Sequence, residues 1–206
     1  MIIRHLVHGG GGDILKQAFA GRMLWPDGVA AELHVQAHGF LGRGQVPNLA
    51  SFLATCGATV LELSEDESQE AEDIQREMHT AKTLRSNALA DLGEAQCLVV
   101  CRRDREFVLV CQDGRARASA RYGEPKVPLF GLIDVLYLAV RLGLCKPASA
   151  WALYEATVGT GFYELTGYPI ATSRDRFIGT AGTLAGCWSA EQRSTGSRQD
   201  NTQVAD

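Results

Sequence analysis

Short apolar runs that suit β-strands alternate with helical segments along this chain, and no other feature constrains its fold as much. The predicted strands are Arg22–Trp25, Ala58–Leu63, Glu106–Cys111 and Lys126–Leu129. The third, EFVLVC, is apolar almost throughout, as is typical of a strand buried on both faces. Strands that alternate with helices form parallel sheets with helices on both faces. The sequence therefore predicts an α/β fold with a parallel sheet of about four to five strands.

The segments between the strands have helical patterns, two of them with clear start signals. Ser64 is a typical N-cap and Glu67 stands at the capping-box position, with further acids in the first turn. Asp91-Leu-Gly-Glu94 is a second start of the D-x-x-E type. The predicted helices are Val29–Ala37, Ser64 to about Lys82, Ala95–Cys101, Asp113–Tyr122, Leu132–Leu142 and Pro147–Val158, and residues 39–50 are a predicted loop.

Composition predicts one domain followed by a tail. The chain has 206 residues, of which 46% are apolar and 21% charged, so it can bury a sizeable core. We expect one domain over residues 1–187 and a disordered polar tail over 188–206, where apolar residues almost disappear.

Charge and hydropathy exclude some classes of function. No apolar run approaches the length that spans a bilayer, and the start of the chain lacks a signal-peptide core, so we expect a cytoplasmic protein. The net charge of −4 excludes a protein that coats nucleic acid by bulk electrostatics, although not one with a local nucleic-acid site. The six cysteines form no C-x-x-C pair, and we expect reduced, mostly buried thiols.

Three acidic residues stand where ligands bind in parallel sheets, beyond the carboxyl ends of the strands. Asp113 follows the strand that ends at Cys111, Glu94 lies in a first helical turn, and Glu32 lies on the helix after the first strand. Converging carboxylates bind Mg²⁺ or Mn²⁺, which can activate water at a phosphate. Each residue also has a structural alternative. Glu94 completes a capping box with Asp91, Asp113 is a turn or an N-cap, and Glu32 is a solvated helix residue.

The order of these residues resembles the PIN-domain family of metal-dependent nucleases, over about Gly12 to Ala156. Gly93-Glu94-Ala95-Gln96 resembles the G-E-A-E helix of one branch, and Gln112-Asp113-Gly114-Arg115-Ala116-Arg117 its D-D-x-x-A-R strand end. Residues 12–33 are similar to the family's first-helix end, second strand and V-x-x-E-L helix, with Glu32 at the acidic position. Residues 123–144 resemble its short strand, glycine turn and helix.

The resemblance implies a sheet of about five parallel strands with acids at its carboxyl edge. In the family, these acids hold Mg²⁺ or Mn²⁺ for the hydrolysis of RNA phosphodiesters. The family's proteins are often the toxin of a toxin–antitoxin pair. Carried over residue by residue, Glu32, Glu94 and Asp113 become the catalytic metal ligands. Two further acids of the family pattern are amides here, Gln96 and Gln112.

The family's first acid, an Asp at the end of its first strand, has no counterpart in this sequence, and two explanations stay open. In one, MIIRHLV is the first strand and His5 takes the Asp position. In the other, LVHGGGGDIL aligns with the end of the first helix, so that the chain starts downstream of the first strand. A metal pair at His5 and His8, or a phosphate loop at residues 9–12, is a weaker interpretation.

A basic group surrounds the Asp113 strand. Arginines grip phosphates bidentately, and we expect Arg115 and Arg117 to bind substrate phosphate. The alternative is a solvated helix face, balanced by Asp104 and Glu106. The whole group is Arg102, Arg103, Arg105, Arg115, Arg117 and Arg121.

The leading hypothesis is a PIN-like ribonuclease that depends on Mg²⁺ or Mn²⁺. Its expected partners are RNA, an antitoxin protein and a second copy of the chain. The alternative is a catalytically silent PIN-like protein that binds RNA or a protein partner. The missing first Asp and the two amides favour this alternative.

Overall fold

Helices and short strands alternate in the computed structural model, which describes residues 2–39, 46–79, 91–161 and 173–183. The first half contains α1 (Ile2–His8), α2 (Gly12–Ala18), β1 (Leu24–Pro26), α3 (Asp27–His38), α4 (Leu49–Thr55), β2 (Thr59–Leu61) and α5 (Glu65–Met78). The second half contains α6 (Leu92–Arg103), β3 (Leu109–Val110), α7 (Gly114–Tyr122), β4 (Leu129–Phe130), α8 (Leu132–Arg141) and α9 (Pro147–Val158). A further helix covers 174–183.

The described strands pair in parallel, in two separate two-stranded sheets. β1 pairs with β2, placing Trp25 opposite Val60, and β3 pairs with β4, placing Val110 opposite Phe130. Each of the four predicted strands overlaps an observed one, but the observed strands are shorter, and β1 and β4 end one residue later than predicted. The mixed α/β class with parallel strands is confirmed at this coarse level, and helices dominate it.

One part of the core joins the N-terminal helices to the C-terminal ones. In α8 the buried residues fall at the spacing of one helix face, and they are Leu132, Val135, Leu136, Ala139 and Val140. This face packs with residues such as Leu6, Leu33 and Tyr154 from α1, α3 and α9. Phe177, from the helix over 174–183, is fully buried in the same cluster and stacks on Tyr137.

The other part of the core is built around α6. Its buried side chains include Leu98 and Val99, which pack with Ile74 of α5, Leu109 of β3 and Ala116 of α7. α6 also contacts β1 and α3, so this one helix touches both small sheets. α6 is therefore the helix through which the two small sheets share one core.

The N-terminal segment rules out one of the two explanations for the first acid. Ile2–His8 is a helix rather than a strand, because its buried residues Ile2, Leu6 and Val7 lie on a helical face. The interpretation that places His5 at the end of a first strand is therefore wrong. The ring of His5 is buried and lies 2.7 Å from the Thr160 hydroxyl, and burial lowers its pKa to about 4. A neutral, enclosed imidazole of this kind is a core residue.

Several simpler expectations are confirmed. Ser64 and Glu67 form the predicted capping box, with Glu67 Oε2 2.8 Å from the Ser64 N–H. The five cysteines within the described ranges are free thiols, and Cys187 lies outside those ranges, as does the predicted tail. No helix in the described part of the chain is long and apolar enough to cross a membrane. The predicted loop over 39–50 extends into α4, which sequence patterns did not predict.

Candidate acidic site

Glu32 and Glu94 come together where α3 crosses the start of α6. The helices approach closely at Gly93, where an added Cβ would lie 2.9 Å from Val29 Cγ2 and 3.8 Å from Glu32 Oε2. A side chain at residue 93 would push the two helices apart. The glycine next to Glu94 thus places the carboxylate of Glu32 against the first turn of α6.

The pKa of Glu94 is raised, first by burial and then by the negative charges of Glu32 and Asp91. The apolar run that follows Glu94 in the sequence favours this direction. The capping-box alternative is wrong for this helix, because Asp91 makes no side-chain cap hydrogen bond and Glu94 turns inward instead. An acid that is enclosed and surrounded by like charge is unfavourable unless a cation or a proton neutralises it.

Two buried amides lie beside these acids. Gln36 donates from Nε2 to Glu32 Oε1 at 2.7 Å, and Gln96 donates from Nε2 to Asp27 Oδ1 at 3.2 Å. The Oε1 atoms of both glutamines are buried and accept no hydrogen bond within the described ranges. Gly28 leaves room for the Gln96 amide, since an added Cβ there would lie 2.3 Å from its Oε1.

Asp113 does what its structural alternative predicted. Its Oδ1 accepts hydrogen bonds from the N–H groups of Arg115 at 2.8 Å and Ala116 at 3.0 Å, so it caps α7. The preceding Gln112 is buried, and its Oε1 accepts a hydrogen bond from the Leu132 N–H at 3.2 Å. This pair at the strand end therefore starts two helices.

Cys111 is buried near Glu94 and Asp113, both of which affect its thiol. The pKa of its thiol is raised to about 12, chiefly by burial and further by the charges of Glu94 and Asp113. Burial also raises the pKa of Cys97, with a further contribution from Glu94. Both thiols stay protonated at neutral pH and add no charge to the surroundings of these acids.

The structure thus brings together two of the three predicted metal ligands. Across residues 2–39, 46–79, 91–161 and 173–183, no three His, Cys, Asp or Glu side chains form a group that could hold a metal ion. The Glu32–Glu94 pair fits a hard cation in kind, because carboxylate oxygens are the donors that such a cation prefers. Asp113 does not join it in this arrangement.

The two arginines predicted to bind phosphate differ in how they are held. Arg117 donates from Nη1 to the Cys111 carbonyl at 2.9 Å, at the end of β3. The side chain of Arg115 is 55% exposed, and its Nη1 lies 3.2 Å from Asp91 Oδ2. Of the other arginines, Arg102 and Arg103 pair with acids of α5, not with the Asp104 and Glu106 that the sequence suggested.

Sequence reasoning missed one contact of this site, between His79 and Asp91. His79 Nε2 lies 2.9 Å from Asp91 Oδ2, and the His79 side chain is only 2% exposed. Asp91 had been interpreted as a helix cap, and a lone histidine at the end of α5 carries no motif. The left-handed backbone of Asp91, at φ 55°, was a further feature that no spacing could predict.

Asp134 lies in the first turn of α8 and stabilises the start of that helix. It is exposed, and its Oδ2 accepts a hydrogen bond from the Gly131 N–H at 2.7 Å. It therefore supports the first turn of α8 and leaves the Glu32–Glu94 pair without a surrogate acid at this position.

Searches of protein-family models, curated proteins and solved structures gave no significant match to this chain.

Proposed function

We propose that this chain is a PIN-like protein that hydrolyses RNA phosphodiester bonds with the help of Mg²⁺ or Mn²⁺. The proposal is carried by the pairing of Glu32 with Glu94, where burial and like charge raise the pKa of Glu94. Carboxylates that repel each other in this way favour a bound cation. In this proposal the two small parallel sheets belong to one sheet of about four to five strands.

The donor atoms support a hard, oxygen-seeking ion. Glu32 and Glu94 would hold the ion. The side-chain amide of Gln36 lies next to Glu32, and its Oε1 has no hydrogen-bond partner within the described ranges. Mg²⁺ and Mn²⁺ prefer such carboxylate and carbonyl oxygens. Asp113 would have to join through the oxygen that does not cap α7, or give up the cap.

The bound ion would supply an activated water and stabilise charge on the phosphate under attack. The protein's own contribution is to orient the substrate and to enclose the acidic pair. The apolar body of α6 behind Glu94 excludes water from one side of the acidic pair, and the exposed Arg115 would bind substrate phosphate. Arg117, fixed to the Cys111 carbonyl, would add positive charge at the strand end.

The second candidate function is a catalytically silent PIN-like protein that binds RNA or a protein partner. The two amides at acidic positions favour it, because both are already bound within the protein. Gln112 accepts from the Leu132 N–H, and Gln96 donates to Asp27. Under either function we propose a cytoplasmic protein, with an antitoxin or a second copy of the chain as a further partner.

Cleavage of labelled RNA by the purified chain tests the leading function. We expect cleavage with Mn²⁺ and none with EDTA, and Glu94→Gln should lower the rate by at least about 100-fold, as loss of a metal ligand exceeds the effect of an outer-shell residue. The exposed Glu62 at the end of β2 provides a matched control, and Glu62→Gln should keep the wild-type rate. No metal-dependent cleavage at micromolar protein, with RNA binding retained, would establish the silent alternative.

A further inference from the structure

One guanidinium nitrogen of Arg115, Nη1, lies over the ring of His79. Its Nη1 is 3.1 Å from His79 Nδ1 and 3.3 Å from Nε2. An atom this close to both ring nitrogens lies above the ring face, because in the ring plane it would overlap the carbon between them. Arginine commonly stacks on aromatic faces in this manner. The imidazole is therefore a platform that supports the guanidinium at Nη1.

Asp91 binds both residues through one oxygen atom. His79 Nε2 lies 2.9 Å from Asp91 Oδ2 and Arg115 Nη1 lies 3.2 Å from the same atom. Since a carboxylate only accepts, His79 Nε2 is the donor in its contact with Asp91. If Arg115 moves to another anion, Asp91 keeps its hydrogen bond from His79 and is not left unpaired. The arrangement therefore lowers the free energy needed to release Arg115.

The exposure of the three side chains rises from His79 to Asp91 to Arg115. The exposed fraction of the side chain is 2% for His79, 24% for Asp91 and 55% for Arg115. The His79 ring is therefore buried, and the Arg115 guanidinium faces solvent. The N–H of Arg115 is also bound to Asp113 Oδ1, which ties the backbone of this arginine to the end of β3. The cluster lies beside the candidate acidic site, since the charge of Asp91 raises the pKa of Glu94.

We propose that His79 and Asp91 are positioning residues that aim Arg115 at a backbone phosphate of an RNA strand bound at the acidic site. The inference rests on the proposed function and deepens it, because it assigns the side chains that hold the phosphate. The guanidinium exchanges its contact with Asp91 for the phosphate oxygens, in a charge-assisted hydrogen bond. The His79 ring remains under it, and the Asp91 carboxylate remains on His79.

Binding without cleavage isolates this step from the chemistry. Fluorescence anisotropy with a 2′-O-methyl RNA oligonucleotide, which has no free 2′-hydroxyl, is measured in EDTA. We expect Arg115→Ala to weaken binding by roughly tenfold and to reduce the slope of log affinity against log salt by about 1. The control is Arg76→Ala on α5, whose side chain is 53% exposed and pairs with Glu72 and Asp73. It removes the same charge and should change binding little.

A double-mutant cycle separates positioning from a purely structural role. His79→Leu removes the donor to Asp91 and should weaken binding by several-fold, while His79→Gln keeps a donor and should restore much of the loss. In the Arg115→Ala background, His79→Leu should have no further effect on affinity. A loss of the same size in both backgrounds would overturn the proposal. Circular dichroism of each variant at the assay temperature ensures that only folded proteins are compared.

Two further outcomes distinguish this inference from the proposed function. If Arg115→Ala binds the oligonucleotide as tightly as wild type but RNA cleavage depends on Glu94, the phosphate contact is wrong and the nuclease stands. If binding depends on Arg115 and His79 but no RNA is cleaved, the phosphate contact stands in a silent protein. Inorganic phosphate is added as a competitor in a separate arm. Binding of free phosphate at Arg115 with no binding of the oligonucleotide would overturn the RNA proposal.

Discussion

Replacing Glu94 by glutamine tests the acidic site most directly, because it removes the charge and keeps the size of the side chain. Burial, together with the charges of Glu32 and Asp91, raises the pKa of Glu94 in the folded protein. The ionised carboxylate therefore destabilises the fold, by about 1.4 kcal/mol for each unit of difference between the folded and unfolded pKa. Without metal, the free energy of unfolding of Glu94→Gln should equal or exceed that of wild type at pH 7.5.

The pH dependence follows from the sign of the same shift. A carboxyl group whose folded pKa lies above its unfolded value costs nothing at low pH, where both states are protonated. Its penalty grows as the pH rises from the unfolded pKa and is complete above the folded pKa. The stability difference in favour of Glu94→Gln should therefore be absent at the acid end and should grow as the pH rises through that window.

The stabilisation expected from bound metal can be calculated. An ion present at 100 times its dissociation constant stabilises the folded state by about 2.7 kcal/mol. For a chain of this length, 1 kcal/mol corresponds to roughly 2–4 °C in melting temperature, so wild type should gain about 5–11 °C with saturating Mg²⁺ or Mn²⁺. Glu94→Gln should lose most of this gain, because one of the two paired carboxylates is gone.

Thermal melts followed by circular dichroism, with and without the ion, measure all of these differences. Glu62→Gln is the control for removal of one exposed carboxylate, and it should melt as wild type does under both conditions. An equal metal-induced shift in wild type and Glu94→Gln would refute the reasoning, since the ion would then bind elsewhere. A large fall in the melting temperature of metal-free Glu94→Gln would refute the assigned cost of the buried charge.

Two further predictions test the surroundings of the site by urea unfolding. Because burial lowers the pKa of His5 from 6.5 to about 4, wild type should lose up to about 3 kcal/mol as the pH falls through that range. His5→Gln should remove this part of the pH slope, and an unchanged slope would contradict it. Gln96→Glu restores the acid of the family pattern but places a carboxylate that is 8% exposed beside Asp27. It should cost about 3 kcal/mol at pH 7.5 and less at pH 5, whereas no loss at pH 7.5 would show that the Gln96–Asp27 contact is unimportant.

Local patterns predicted the elements that depend on neighbouring residues. The Ser64–Glu67 capping box, the apolar face of α8 and the cap at Asp113 each involve residues within one or two helical turns, so their spacing in the sequence is sufficient. The raised pKa of Glu94 was predictable for the same reason, because the apolar residues that bury it follow directly in α6.

Strand lengths were less predictable. Glu106–Cys111 has the composition of a six-residue strand, yet only Leu109–Val110 pairs with β4. A strand ends where its partner ends, and the partner is distant in sequence. The structure of the N-terminal segment could not be predicted for a related reason. The short apolar run Ile2–Val7 suits either a strand or a buried helix, and only its packing on α9 and α4 decides between them.

The sequence by itself determined the alternation of strands and helices, the helix starts and the residue types that can carry charge at the sheet ends. Only the tertiary structure decided which charges meet. Gly93 lets α3 approach α6 so that Glu32 reaches Glu94, while Asp113 caps α7. The contact of His79 with Asp91 joins residues across a segment of the chain that carries no motif. Side chains from different elements are brought together by helix packing, and the free energy of that packing comes from the core as a whole rather than from any local pattern.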